Sequence, residues 1–294
     1  MTTNLSKYAS FIKTISPVLS NTVFKKIIKD EELEIIKRRA LKYQSYNDTK
    51  LNTYQDFFED LYHSMLKNYR NEFVYKNEIT NKILLGKHNL NTATVLNEFR
   101  IGKSIADLVI LNGTSIVYEI KTEYDSPERL LSQIQEYRKS FLHVVIVTHY
   151  SVASKYESFL IKHDLNNIGL LVFSNRNTLT VRIKPTKDSN FLDINYMFKC
   201  LRKQEYSHLI KKYYGYVPKV PNTRLFKECL NLSHSISKIE FHELMFSYLK
   251  KRTIKEKKIV SSQKTPTFLK HISICSDFNK EDFDKIYSFL NKKL

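Results

Sequence analysis

The chain has 294 residues, a formal charge of +18, 42% apolar residues and only five glycines, at 86, 102, 113, 169 and 215. Five scattered glycines cannot build a glycine-rich phosphate loop of the Walker or dinucleotide type, and no apolar run approaches the roughly 18 residues that would span a bilayer. Three cysteines, at 200, 229 and 275, are odd in number and too widely spaced for a zinc knuckle, so a soluble, cytoplasmic protein in a reducing compartment is expected.

Apolar periodicity predicts amphipathic helices over 22–44 and 53–68, then a helix over 71–87 with Val74, Ile79, Ile83 and Leu84 inward and Glu78 among them. A strand carrying Glu98 follows, its carboxylate expected to partner Arg100 or Lys103. Two very apolar strands surround Asn112-Gly113. A helix over 128–141 with Leu130, Ile134, Tyr137 and Phe141 on one stripe comes next, with Ser126 as its cap and Pro127 in its first turn. Strands over 144–148, 168–173 and 179–184 enclose a helix over 151–164. Alternating elements of this kind give an α/β fold, a mixed central sheet flanked by helices. The remainder reads as helical, over 193–214, 223–232, 239–252 and 280–293, with a flexible connection at 261–266. The expected organisation is an N-terminal helical extension (1–70), a core (71–184) and a basic C-terminal helical region (185–294).

The hairpin around Gly113 carries Asp107, Glu119 and Lys121 on strands that otherwise disfavour charge. An unpaired buried carboxylate or ammonium costs several kcal/mol, so three such groups at one end of a hairpin suggest a shared ion. Residues two apart share a face, which groups Glu119 with Lys121. A two-residue Asn112-Gly113 loop would set Asp107 opposite Tyr118 and put Glu119 on the wrong face. A three-residue loop of Leu111, Asn112 and Gly113 pairs Asp107 with Val117 and puts all three on one face. Two carboxylates so placed suit a hard cation such as Mg²⁺, with Mn²⁺ as a substitute, and the corresponding chemistry is phosphodiester hydrolysis. Lys121 would orient or deprotonate the attacking water, or stabilise developing negative charge.

With Asp107, Asn112-Gly113 and Tyr118-Glu119-Ile120-Lys121, the chain resembles the PD-(D/E)XK nuclease superfamily, in particular a little-characterised bacterial branch. Ala106 stands where the family pattern has proline. The resemblance covers roughly residues 73–252 and implies the restriction-endonuclease-like fold, Asp107 and Glu119 as metal ligands and the Ile120 carbonyl as a further one. It also implies a phosphate-side role for Gln133 and Tyr137, which match a Gln-x-x-x-Tyr element on the following helix. A glutamate on the first core helix often faces the metal in this superfamily, so Glu78 is an optional metal contact, with Glu72 the alternative.

Residues 185–294 hold 22 Lys and Arg against 11 Asp and Glu, and a basic surplus of this size favours a polyanion. Tyr206, Tyr213, Tyr214 and Tyr216 lie among lysines, in a pattern that stacks bases elsewhere, although packing accounts for most of them. The expected function is Mg²⁺-dependent hydrolysis of DNA, in phage defence, restriction or repair. Two alternatives stand beside it: a nucleic-acid-binding or regulatory protein that keeps the nuclease fold without turnover, and an RNase or structure-specific resolvase using the same site. The sequence leaves endo- against exonucleolytic action open, and likewise the oligomeric state, a homodimer being one option.

Overall fold

The computed structural model describes every residue except Met1, Glu32 and Asn89, and every described side chain except those of residues 2–6. In chain order the helices are α1 (Thr2–Ile15), α2 (Asn21–Lys29), α3 (Leu33–Asn47), α4 (Tyr54–Asn68), α5 (Glu72–Ile79), α6 (Leu130–Tyr137), α7 (Ala153–Lys162), α8 (Ile194–Lys199), α9 (Lys203–Tyr214), α10 (Asn222–Ser233), α11 (Lys238–Leu249), α12 (Lys257–Ser261), α13 (Lys270–Ser276) and α14 (Lys280–Leu290). The strands are β1 (Thr94–Ile101), β2 (Ser104–Asn112), β3 (Thr114–Lys121), β4 (His143–His149), β5 (Gly169–Phe173) and β6 (Leu179–Ile183). None of the described helices is long and apolar enough to cross a membrane.

Two helices expected as single rods are broken. Asp30 takes the left-handed conformation (φ 61°) and caps α2, so 22–44 is two helices. Cys200 to Arg202 interrupt 193–214, and α9 restarts with Glu205 accepting the Arg202 backbone N–H. The expected helix over 71–87 relaxes after Ile79 into a π-helical stretch, Thr80–Leu85. Ser126 does not cap α6, which begins only at Leu130.

The chain divides into two compact units, Met1–Leu90 with Ile254–Leu294, and Asn91–Thr253. These boundaries differ from those at 70 and 184, and hydrogen bonds show why. Asn77 on α5 donates to the Thr267 carbonyl and accepts from His271 N–H, while Thr53 bridges Lys293. Residues 71–90 and the last forty therefore fold with the N-terminal helices. Phe24, Phe58 and Phe268 are buried against one another in this helical unit, Phe58 stacked on Phe268 and Phe24 tilted against both. Thr265 is buried and its hydroxyl meets Tyr287, so the expected flexible connection is a packed turn.

The second unit is mixed α/β. Its sheet runs β1-β2-β3-β4-β5-β6, antiparallel through β1, β2 and β3, parallel through β3, β4 and β5, and antiparallel again at β6. One face presents Val109, Val117, Val144, Ile146, Leu170 and Val172 to α6 and α7, and this core continues through Met197, Phe198, Leu209 and Phe241 of α8, α9 and α11. Leu108, Ile110, Tyr118, Ile120, Val145 and Val147 are also buried, on the alternate strand positions. A sheet buried on both faces explains why β2 and β3 read as near-continuous apolar runs.

Candidate functional site

The β2–β3 loop has the expected three residues but sits one position later. Leu111 pairs Ser115 and Asn112 faces Thr114 across Gly113, which takes φ 69°. Moving a loop by one residue shifts the register by two, so the faces are kept and only the partner changes: Leu108 pairs Tyr118, and the next rung sets Asp107 opposite Glu119 rather than Val117. Ile120 N–H points to β2, where it donates to Asp107 Oδ2 at 2.7 Å. Glu119 therefore occupies a non-hydrogen-bonded rung, the kind with Cα atoms about 4.5 Å apart and side chains closest. The Ile120 carbonyl leaves the strand on the same side as its N–H, toward Asp107.

The neighbouring strand is irregular at the same level. Asn97 pairs Leu108 and Phe99 pairs Ala106, which puts Glu98 beside Asp107. Glu98 is exposed and adopts φ 48°, the left-handed region that a non-glycine residue rarely enters. The inward alternation changes there: Leu96, Phe99 and Ile101 on β1, and Ala106 and Val109 on β2, all belong to the core on the α6 side. Local irregularities of this sort re-aim side chains and gather near functional sites.

A continuous network joins the strand residues to α6. Lys121 Nζ lies 2.7 Å from Glu119 Oε1 and 2.9 Å from Gln133 Oε1. Tyr137 OH lies 2.7 Å from Glu119 Oε2 and 2.9 Å from the Ile105 carbonyl; its one proton serves a single acceptor at a time. Gln133 and Tyr137 are four apart and share a helix face, with Gln133 Nε2 3.5 Å from the phenol oxygen. Burial, then the Glu119 and Asp107 carboxylates, push the Tyr137 phenol far above its ordinary range. It is a neutral donor that holds Glu119 in place. Glu119 is only 2% exposed.

The flanks of the network are fixed as well. Thr122 N–H and hydroxyl both donate to Asp125 Oδ2 at 2.7 Å, closing the turn after Lys121. Gly102 (φ 59°) makes the β1–β2 turn, where Lys103 N–H donates to Glu136 of α6 at 2.8 Å and a Cβ would strike Glu136 and Tyr196. An open cleft of about 510 Å³, lined by Lys103, Ser104, Ile105, Arg129, Gln133 and Glu136 among others, runs beside Gln133. Sequence reading missed this anchoring; the Gly102-Lys103 pair between strands was its one local signal.

Of the residues singled out from sequence, Asp107, Glu119, Ile120, Lys121, Gln133 and Tyr137 come together in the second unit. Glu78 belongs to the helical unit, where its carboxylate accepts from Tyr62 OH at 2.6 Å and pairs with Lys82 at 3.2 Å. Glu72 is exposed and pairs with Lys76. Among the described residues no group of three or more His, Cys, Asp or Glu side chains could hold a metal ion. The two opposed acids fit the mode in which Mg²⁺ takes one or two carboxylates, retains waters and completes its shell with substrate phosphate. Each Glu119 oxygen has one partner here and a second lone pair to offer.

No solved structure matches the chain. Protein cII of Enterobacteria phage P4 is 35% identical over 103 residues, which cover 34% of this chain and 37% of that protein. The model of the family described as Bacteriophage P4 protein cII matches residues 65–273, a span that contains the whole sheet, α6 and every residue of the network. The chain belongs to the Bacteriophage P4 protein cII family.

Proposed function

We propose that this chain is a metal-dependent nuclease that hydrolyses phosphodiester bonds of DNA, acting in the cytoplasm in phage defence, restriction or repair. The observation that carries this reading is the meeting of Asp107, Glu119, Lys121, Gln133 and Tyr137 at one end of one hairpin. The resemblance of that hairpin to the PD-(D/E)XK core supplies the activity. Asp107, Glu119 and the Ile120 carbonyl would hold Mg²⁺, or Mn²⁺ in its place, which when bound polarises a phosphoryl oxygen and acidifies a coordinated water. Lys121 spends two of its three N–H groups on Glu119 and Gln133; the third is left to donate to a water or a phosphate oxygen. Gln133 fixes the ammonium on the side of the cleft that Lys103 and Arg129 line. Tyr137 keeps Glu119 oriented by donating to it.

The test is to incubate supercoiled plasmid, linear DNA and RNA with the protein in Mg²⁺, Mn²⁺ or EDTA. Cleavage of DNA that EDTA stops is the expected result. RNA cleavage in place of DNA would make it a ribonuclease on the same site, and no cleavage of any substrate would sink the nuclease reading. A nucleic-acid binder without turnover is the second reading. The engagement of both Glu119 oxygens by the protein's own Tyr137 and Lys121 favours it, since the site is self-satisfied without a metal. Under either reading, neutralising the exposed Lys211, Lys212 and Lys219 should weaken binding alike across sequences and lower the salt slope by up to roughly one unit per lost contact.

A further inference from the structure

Near the opposite end of β3 from Lys121 lies a cavity that the proposed nuclease chemistry does not use. Seven residue steps separate Thr114 from Lys121, roughly 23 Å along an extended strand. The cavity measures about 540 Å³ and is lined by Gly113, Thr114, Leu142, His143, Lys187, Ser189, Leu192, Ile239, His242, Glu243 and Phe246, a size suited to a small organic molecule.

Its polar groups are built in. His242, 5% exposed, sets Nε2 3.0 Å from Ser115 Oγ, and Ser115 Oγ also accepts the Leu142 N–H at 3.0 Å. Ser115 Oγ, with two lone pairs and one proton, can pair with either tautomer of the His242 ring. His143 Nδ1 lies 3.1 Å from Thr114 Oγ1. Lys187 rides a segment that its neighbour Asp188 pins down: Asp188 N–H donates to the Leu142 carbonyl, and its carboxylate takes Arg138 at 2.9 Å and Asn167 at 2.5 Å. Lys187 itself forms no ion pair with any described carboxylate. Glu243, the one acid of the lining, is exposed.

Burial and the Lys187 ammonium lower the His143 imidazole, and burial, Lys187 and His143 bring His242 down to about 4. Three basic side chains from three segments, β4, the Lys187 loop and α11, therefore converge on one space, with two of them held neutral by mutual repulsion and desolvation. An anion in that space relieves the repulsion. Leu142, Leu192, Ile239 and Phe246 line the rest, and Ile239 leaves 58% of its surface in water.

We propose that this cavity binds a small organic anion, a carboxylate or phosphate head on an apolar body, with the head between Lys187, His143 and His242 and the body on Leu142, Leu192, Ile239 and Phe246. The site is independent of the nuclease reading. The test uses the full chain with hexanoate, hexyl phosphate, inorganic phosphate and hexan-1-ol, followed by calorimetry and by the imidazole NMR signals of His143 and His242. Binding of hexanoate or hexyl phosphate that moves both imidazole signals is expected, and the tighter of the two identifies the head. Lys187→Ala should weaken it at least about tenfold and Lys187→Arg should restore it. Affinity should rise as pH falls from 7.5 to 5.5, by up to about tenfold per pH unit for each imidazole that gains a proton. Hexan-1-ol binding as tightly as the anions would remove the anion, and inorganic phosphate as tight as hexyl phosphate would remove the apolar body. No shift of either imidazole with any probe, or an unaffected Lys187→Ala, would overturn the site.

Discussion

Glu78 and Glu119 lie in different units of the fold, yet their surroundings match. Each is almost fully buried, and each is held by a tyrosine hydroxyl and a lysine ammonium: Tyr62 and Lys82 for Glu78, Tyr137 and Lys121 for Glu119. The difference lies in what else shares the space. Tyr62 also accepts from Asn77, which donates in turn to the Thr267 carbonyl, so the Glu78 cluster ties α4 to α5 and to the segment before α13. Glu119 instead faces a second carboxylate, Asp107, across an antiparallel rung. Like charges directly opposite one another destabilise a sheet, and a fold needing only a buried glutamate would have a neutral residue at 107. A Glu–Tyr–Lys cluster alone holds elements together; on the nuclease reading, the added acid is what would make it a seat for a cation.

The most severe test of that contrast removes the carboxylates. On the nuclease reading, Asp107→Ala and Glu119→Ala should each lower cleavage on the order of a thousandfold or more, about 4 kcal/mol of lost transition-state stabilisation. DNA binding should survive, because a lost carboxylate also lessens repulsion with phosphate. Lys121→Ala should be inactive while still binding Mg²⁺ by calorimetry. Glu78→Ala should leave the cleavage rate of the folded fraction within a few-fold of wild type and instead destabilise the helical unit by about 1–3 kcal/mol, since the buried Tyr62 hydroxyl loses its acceptor. A folded Glu78→Ala protein without activity would break the comparison and return Glu78 to the metal site.

How far the site was legible follows from the range of the signals. The alternation of β2 and β3 is local, and it put Asp107, Glu119 and Lys121 on one face. The four-residue spacing of Gln133 and Tyr137 put both on the helix side that meets Lys121 and Glu119. The register was misjudged by two because Asn112-Gly113 reads as the end of a loop, whereas Thr114 is also at its tip. Breaks at Asp30 and at Cys200 to Arg202 carry no proline or glycine to announce them. What was not legible rests on distant pairs: Asn77 meets His271 across 194 positions and Ser115 meets His242 across 127, so neither the division into units nor the histidine-lined cavity leaves a periodic trace.

Removing the two tyrosine hydroxyls sharpens the contrast at a smaller scale. Tyr62→Phe leaves Glu78 and Asn77 each short of a partner in a buried place, and should lower stability by about 1–3 kcal/mol in denaturant titrations. Tyr137→Phe removes a donor from Glu119, whose other oxygen keeps Lys121. A cleavage loss of about tenfold is expected, with a stability change smaller than that of Tyr62→Phe, because the Ile105 carbonyl lies at the edge of the open cleft. Equal effects of the two on stability, with none on cleavage, would make both clusters structural.

The smallest expected difference is in acid. Each unit has a buried histidine that desolvation pushes well down: His271 in the helical unit, lowered to about 3, and His242 in the sheet unit, lowered to about 4. The unfolded chain takes up a proton on each near pH 6.5, while the folded chain does so only near those lower values. The unfolded state therefore binds more protons in between, and stability falls as pH falls from about 6.5, by up to roughly 1.4 kcal/mol per pH unit for each group. Denaturant midpoints of wild type, His271→Gln and His242→Gln at pH 7.5 and 5.0 measure this. Each variant should lose part of the wild-type pH dependence, and by similar amounts, since both folded-state values lie below pH 5.0. Identical slopes for all three proteins would mean that neither imidazole is held neutral by the fold, and that carboxylates alone set the acid limit.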